Sequence, residues 1–224
     1  GSDAGESLTT GADGSIYFAG WTSGDLDGEN NNVNKDNTSS DIDVRNWDAF
    51  LTKYSSDGSR VWTRLLGTEE ADSGTALTTG ADGSIYFAGY TKGDLGGHKS
   101  NGSYNPFVSQ YNEDGTNAWT RVLETNGNGY GTTLTTGIDG SIYISGHTYG
   151  DIGGQTNSGS RDVFLSKIVD NNEGPNDNIA TKIVTVNSKS SSHPYFGQGS
   201  SKGYFIDGKE SPSLTLRQNI VYRF

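Results

Sequence analysis

The sequence predicts an all-β protein of about three four-stranded antiparallel meanders, followed by the start of a further β segment. Three observations predict it. A thirteen-residue segment recurs twice, each period carries Asp-Gly turn signals between short apolar runs, and no stretch shows a sustained helical period.

The elements follow from the repeat. Residues 8–20 read LTTGADGSIYFAG, 77–89 read the same, and 134–146 read LTTGIDGSIYISG. The offsets are 69 and 57 residues. The extra 12 lie between Gly20 and Phe50, so the underlying unit is 57. In each unit an LTT strand leads to Asp-Gly, at 13–14, 82–83 and 139–140, and then to an SIYFAG-type strand. A third strand follows: DAFLTKYS, PFVSQYN or VFLSKIV. A second Asp-Gly, at 57–58 and 114–115, leads to RVWTRLL or NAWTRVL. Asp-Gly suits a two-residue turn with positive φ at its central positions. Two hairpins per unit give a four-stranded meander, the size of one propeller blade. In the second strand Ile16 and Phe18 oppose Tyr17 and Ala19; in the fourth, Val61 and Leu65 oppose Trp62 and Leu66. Both faces are partly apolar, which suits a sheet held between sheets. The third unit lacks its Trp-bearing strand, since DNNEGPNDN stands at 170–178 where a hairpin is due. Residues 179–186 or a strand from elsewhere would fill the place.

The order DAFLTKYSSDGSRVWTRLLG, then LTTGADGSIYFAGYT, resembles the bacterial SBBP repeat, a family of seven-bladed β-propellers; the match covers residues 1–169. The resemblance implies propeller blades of large secreted or surface proteins, without a catalytic motif. Propellers close with more than three blades, so the expectation is an open arc or part of a larger ring. Composition shifts at 170–180, read as a linker because of Gly174-Pro175. From 181 to 224, YFIDGKESPSLTL and VYRF resemble the opening strands of a cupredoxin-like sandwich, which implies an incomplete second β domain with any copper ligands beyond Phe224.

Composition narrows the function classes. Only 30% of the 224 residues are hydrophobic, yet four Trp, twelve Tyr and eight Phe recur in spaced runs beside 33 Gly, which argues for many short strands rather than disorder. A formal net charge of −11 repels phosphate backbones, so nucleic acid is not the expected partner. No apolar run is long enough for a membrane span. With no Cys there are no disulfides, thiolate metal sites or thiol nucleophiles. With no Met even at position 1, the chain reads as a processed or excised piece, and the lack of a leader says nothing about export.

Candidate sites come from the connectors opposite the Asp-Gly turns. The insert carries Asp25, Asp27, Glu29, Asn30, Asn31, Asp36, Asp41 and Asp43; Glu69, Glu70, Asp72, Asp94 and Asp151 join them. Hard oxygen ligands in loops suit Ca²⁺, with Asp25, Asp27 and Glu29 as candidate ligands and Asp94 and Asp151 as equivalent positions. The alternative is solvated, turn-forming Asp and Gly. Trp62 and Trp119 follow Gly58 and Gly115 at the Gly-x-x-x-Trp spacing of the quinoprotein alcohol dehydrogenases, but the plainer expectation is a ring wedged between blades. The Asp-box of sialidases needs a residue between Asp and Gly, and here they are adjacent. His98, His147 and His193 show no metal-ligand spacing, and His147 takes the slot of Trp21 and Tyr90.

No catalytic constellation emerges, so the chain is not expected to be an enzyme. The expectation is a structural or binding repeat module of a large bacterial extracellular or cell-surface protein, meeting a protein or glycan partner and the remainder of its parent chain. The alternatives are a calcium- or glycan-binding lectin-like propeller, and a fragment of a propeller enzyme whose catalytic residues lie elsewhere.

Overall fold

In the computed structural model the chain is all-β. The structure describes residues 1–31 and 47–168, with the backbone of strands 179–188, 202–206 and 209–210. The first sheet runs in the order β1 (Asp3–Thr10), β2 (Ile16–Thr22), β3 (Asp48–Tyr54), β4 (Arg60–Leu66). The second repeats it with β5 (Asp72–Thr79), β6 (Ile85–Thr91), β7 (Asn105–Tyr111), β8 (Asn117–Val122). The third opens with β9 (Gly129–Thr136), β10 (Ile142–Thr148) and β11 (Asp162–Ile168). All pairings are antiparallel, so each sheet is an up-and-down meander. The fourth position of the third sheet is taken by β12 (Ile179–Ser188), which pairs Val184 with Val163 and Ile179 with Ile168. Strands β13 (Lys202–Ile206) and β14 (Lys209–Glu210) extend the same sheet. The linker residues 170–178 and the segment 211–224 lie outside the described residues.

The Asp-Gly turns are real, but their geometry differs from the expected one. Positive φ falls on Gly14, Gly58, Gly83, Gly115 and Gly140, while none of the preceding aspartates has it. Gly14 N donates to Gly11 O and Gly11 N to Ser15 O, so the turn spans four residues and ends on a left-handed glycine. The aspartate earns its place differently. Asp13, Asp57, Asp82, Asp114 and Asp139 each accept the backbone N–H two residues on through Oδ1.

Alternation then decides what each face meets. Tyr17, Ala19, Leu51 and Trp62 of the first sheet pack against Leu77, Ile85, Phe87, Phe107 and Tyr111 of the second. The opposite face of the second sheet, with Tyr86, Ala88 and Val108, packs against Ile142, Ile144, Phe164 and Ile168 of the third. Each fully buried Phe or Ile contributes about 1.5–3 kcal/mol relative to exposure. The two seams are equivalent by the repeat, which is why one sequence pattern builds both. Trp62 is wedged between blades as expected: it is buried, and its Nε1 donates to Glu113 O of the second sheet at 3.1 Å. Gly89 is where a side chain has no room. A Cβ there would come within 1.8 Å of Ser73 O at the register shift between Gly74 and Ala76.

The inner strands are tied directly. Leu77 N donates to Ser7 Oγ at 3.0 Å, and Thr75 Oγ1 to Gly131 O at 2.8 Å. Packing passes from the first sheet to the second and on to the third, through β5 and β9. The outer face of the first sheet is left open. Leu8 is 65% exposed, whereas Leu77, its equivalent in the second sheet, is 8% exposed. Val61 and Val163 are likewise exposed, on the outer faces of the first and third sheets.

Candidate binding surface at the connector end

Antiparallel order puts the Asp-Gly turns at one end of the sheets and the connectors at the other. Each connector after the second strand folds into a small hairpin, bridged at Leu26–Glu29, Leu95–His98 and Ile152–Gln155. The sequence candidates Asp25, Asp94 and Asp151 occupy the same place in these hairpins and do the same work. Their Oδ1 atoms accept the N–H six residues on, from Asn31, Ser100 and Asn157, at 3.0, 2.8 and 2.8 Å. Asn31 and Asn157 add a side-chain bond back to Thr22 O and Thr148 O.

The remaining oxygens are also engaged. Asp94 Oδ2 takes Lys99 Nζ, and this contact holds the Asp94 carboxyl below its ordinary pKa. Asp151 Oδ2 accepts from Asn126 Nδ2 at 3.0 Å. Asp27 stands at positive φ, accepts Thr63 Oγ1 at 2.7 Å and pairs with Arg60. Glu29 pairs with Arg64 at 3.4 Å. Asp25, Asp27 and Glu29 therefore serve loop closure and ion pairs along β4. Among the described residues, no three of His, Asp and Glu come together as a metal would require. Asp36, Asp41, Asp43 and His193 lie outside the described residues. His98 Nδ1 meets Glu124 Oε1 at 3.0 Å.

The same end carries a feature that the candidate list did not include. Trp21 stacks on Trp47 with ring centroids 4.6 Å apart. One repeat on, the pair is Tyr90 and Tyr104, edge to face at 5.5 Å. In the third repeat the equivalent positions hold His147 and Arg161, whose charge reaches the imidazole. Burial lowers the His147 pKa first, and the Arg161 charge lowers it further. Tyr130 joins the second and third pairs. It lies 4.9 Å from Tyr90, 5.3 Å from Tyr104 and 5.1 Å from His147. Tyr149 closes the row edge-on to His147 at 5.9 Å. These rings are half-buried, with Tyr149 49% exposed.

Their placement is built by the backbone. Asn128 Oδ1 accepts Tyr104 N at 3.1 Å, and Asn128 O accepts Tyr149 N at 2.8 Å, so one residue fixes both ends of the row. Burial raises the pKa of Tyr90 and Tyr130; Tyr104 raises both further, Glu6 adds to Tyr90, and Tyr90 and Tyr149 add to Tyr130. The Tyr90 and Tyr130 phenols thus stay protonated across the physiological range. The signal was present in the sequence. Trp47, Tyr104 and Arg161 stand 57 residues apart, just before the third strand, as Trp21, Tyr90 and His147 end the second.

At the opposite end, an open cleft of about 410 Å³ lies between Ala81-Asp82 and Ile138-Asp139. Asp139, held near pKa 2 by the Ser141 N–H and Lys167, is engaged in its own turn.

No protein-family model matches the chain. It is similar to a protein named Regulatory protein FlaEY of Caulobacter vibrioides, with 34% identity over 176 residues. The match takes in 74% of this chain and 18% of that protein, so the chain spans less than a fifth of the length of the relative it matches.

Proposed function

We propose that the chain is a binding module of a larger bacterial protein, displayed outside the cell or at its surface. In this reading the sheets are scaffold and the connector end meets a partner. The observation that carries it is the set of ring pairs Trp21–Trp47 and Tyr90–Tyr104, with His147 and Arg161 at the equivalent positions of the third repeat, half-buried to exposed at one place in repeats whose strands are nearly the same. Trp, Tyr and Arg are the side chains that dominate binding energy at protein interfaces. The connector carboxylates are engaged in loop closure and ion pairs, which favours contact over acid–base chemistry. The name of the relative, a regulatory protein, is in keeping with action by contact.

The test uses the full-length parent protein in its host. A photo-crosslinking residue is placed at position 104 in one variant and at position 138, at the turn end, in another. A discrete adduct from 104 with none from 138 supports the reading. Equal adducts at both, or adducts from 138 alone, would sink it. Protease treatment of intact cells, which should cut the module, tests its exposure outside.

A further inference from the structure

We propose that the tyrosine cluster at the seam of the second and third sheets is a docking site for a cationic polypeptide segment, whose arginine or lysine side chains lie against the rings. The proposal rests on the reading of the connector end as the binding surface, and gives that surface a ligand class.

The geometry comes first. Tyr90, Tyr104 and Tyr130 contact one another at 4.9–5.5 Å, with Tyr90 nearly perpendicular to both partners. Asn128 and Gly129 fix the segment at Tyr104: Asn128 accepts its N–H, and Gly129 N donates to its carbonyl at 2.7 Å. Three rings held by each other and by backbone lose little freedom when a ligand arrives, which favours affinity. The fold does not require tyrosine at these places. The two preceding thirteen-residue segments are the same in the first and second repeats, and the next residue changes from Trp21 to Tyr90. At the position of Tyr130 the other repeats carry Ala4 and Ser73.

Charge then selects the occupant. An aromatic face attracts a cation through its quadrupole. Glu6 lies close enough to Tyr90 to act on its phenol, and the chain carries a formal net charge of −11. The two terms have the same sign. They oppose an anionic ligand and favour a full cation over a neutral glycan. Arg161 beside His147 makes the far end of the row the exception, so the cationic segment sits on the Tyr90–Tyr104–Tyr130 side. Trp21 and Trp47, in the neighbouring blade, offer a second stacked surface to a segment long enough to reach it.

A labelled hexa-arginine peptide is the probe, and its anisotropy is followed with the 224-residue chain at low and physiological salt. Tyr104→Leu and Tyr130→Leu keep the net charge, and each is expected to weaken binding about 10-fold or more. Tyr104→Phe and Tyr130→Phe keep the ring and are expected to bind within about 2-fold of wild type. Glu6→Gln is expected to weaken binding a few-fold and to flatten its salt dependence. Thermal melts show which variants fold, and the Phe pair reads the ring's part even where a Leu variant melts early. Hexa-arginine bound equally well by the folded Leu variants would overturn the proposal, leaving a diffuse acidic surface. So would ring-dependent binding of a neutral β-linked hexasaccharide with none of hexa-arginine. Failure with hexa-arginine, alongside a discrete adduct from position 104 in the parent protein, removes the ligand class and leaves the binding surface standing.

Discussion

Asp72 is the residue whose replacement tests the packing most directly. It opens β5 and is wholly buried at the junction of the first two sheets. Its Oδ2 accepts Thr68 N at 2.6 Å and Thr68 Oγ1 at 2.9 Å, while Oδ1 has no hydrogen bond of good geometry. Burial raises its pKa from 3.8 to about 7; Thr91 and Thr68 pull it part of the way back, and buried Asp48 adds repulsion. A raised carboxyl pKa means that the folded chain keeps a proton the unfolded chain has lost. Its contribution is therefore complete below about pH 4 and lost as pH rises toward 7. Three pH units at 1.36 kcal/mol each come to roughly 4 kcal/mol. Asp72→Asn keeps an acceptor for Thr68 and cannot ionise. At pH 8 it should be more stable than wild type by up to about 4 kcal/mol, or about 10 °C in melting temperature for a chain of this size. At pH 4 the two should match. His147, with its pKa lowered by burial and Arg161, gives a slope of the opposite sign near pH 6. The Asp72 contribution is accordingly read as wild type minus variant, by urea melts followed through tryptophan fluorescence from pH 4 to 8. A variant less stable than wild type at pH 8, with an unchanged difference at pH 4, would refute the reasoning. The carboxylate would then be ionised and held by Thr68.

Three further outcomes are expected. Gly83→Val should cost about 2 kcal/mol or more, since φ is +85° and a Cβ would stand 2.3 Å from Glu113 Oε1, and a variant melting with wild type would contradict the turn assignment. Leu8→Glu with Val61→Glu should reduce concentration-dependent association in light scattering, because these side chains lie 65% and 55% exposed on the open outer face of the first sheet, where Leu8 stands bare although its equivalent Leu77 is covered; a monomer at all concentrations before mutation would remove that argument. Calorimetry with Ca²⁺ should show no heat that depends on Asp25 or Asp27, whose carboxylates serve Asn31, Thr63 and Arg60; heat abolished by Asp25→Asn and Asp27→Asn would establish the calcium alternative instead.

The strands, their order and the turns were legible because a repeat shows its own constraints. Where Leu8 and Leu77, or Tyr17 and Tyr86, hold the same letter at the same offset, a shared backbone environment is the plainest cause, and the sheets bear this out. What letters alone did not give is which oxygen a carboxylate serves. Asp25, Asp27 and Glu29 are candidate ligands in the sequence because carboxylates in loops suit a cation, with Asp94 and Asp151 at equivalent positions and solvated turn residues as the alternative. A loop of seven residues that must satisfy its own N–H groups uses the same carboxylates first. The turn aspartates were placed correctly and explained by the wrong angle, since the glycine alone takes positive φ.

The same comparison between repeats separates scaffold from surface. A position that must pack keeps its residue: Tyr17 and Tyr86 each sit beneath a Trp of the fourth strand, at 6.2 and 6.3 Å. A position released from packing can change, and the end of the second strand changes from Trp21 to Tyr90 to His147 while its backbone pairing stays the same. Packing alone would predict no bias there, or a drift to small polar residues in water. Instead each repeat keeps a ring and sets a second ring or a guanidinium beside it, at the mouth of the third strand. Large amphipathic side chains retained where the fold buries them only in part leave apolar surface in water unless something covers it. Their persistence through a change of identity is the pattern expected of the proposed binding surface, and a scaffold alone gives no reason for it.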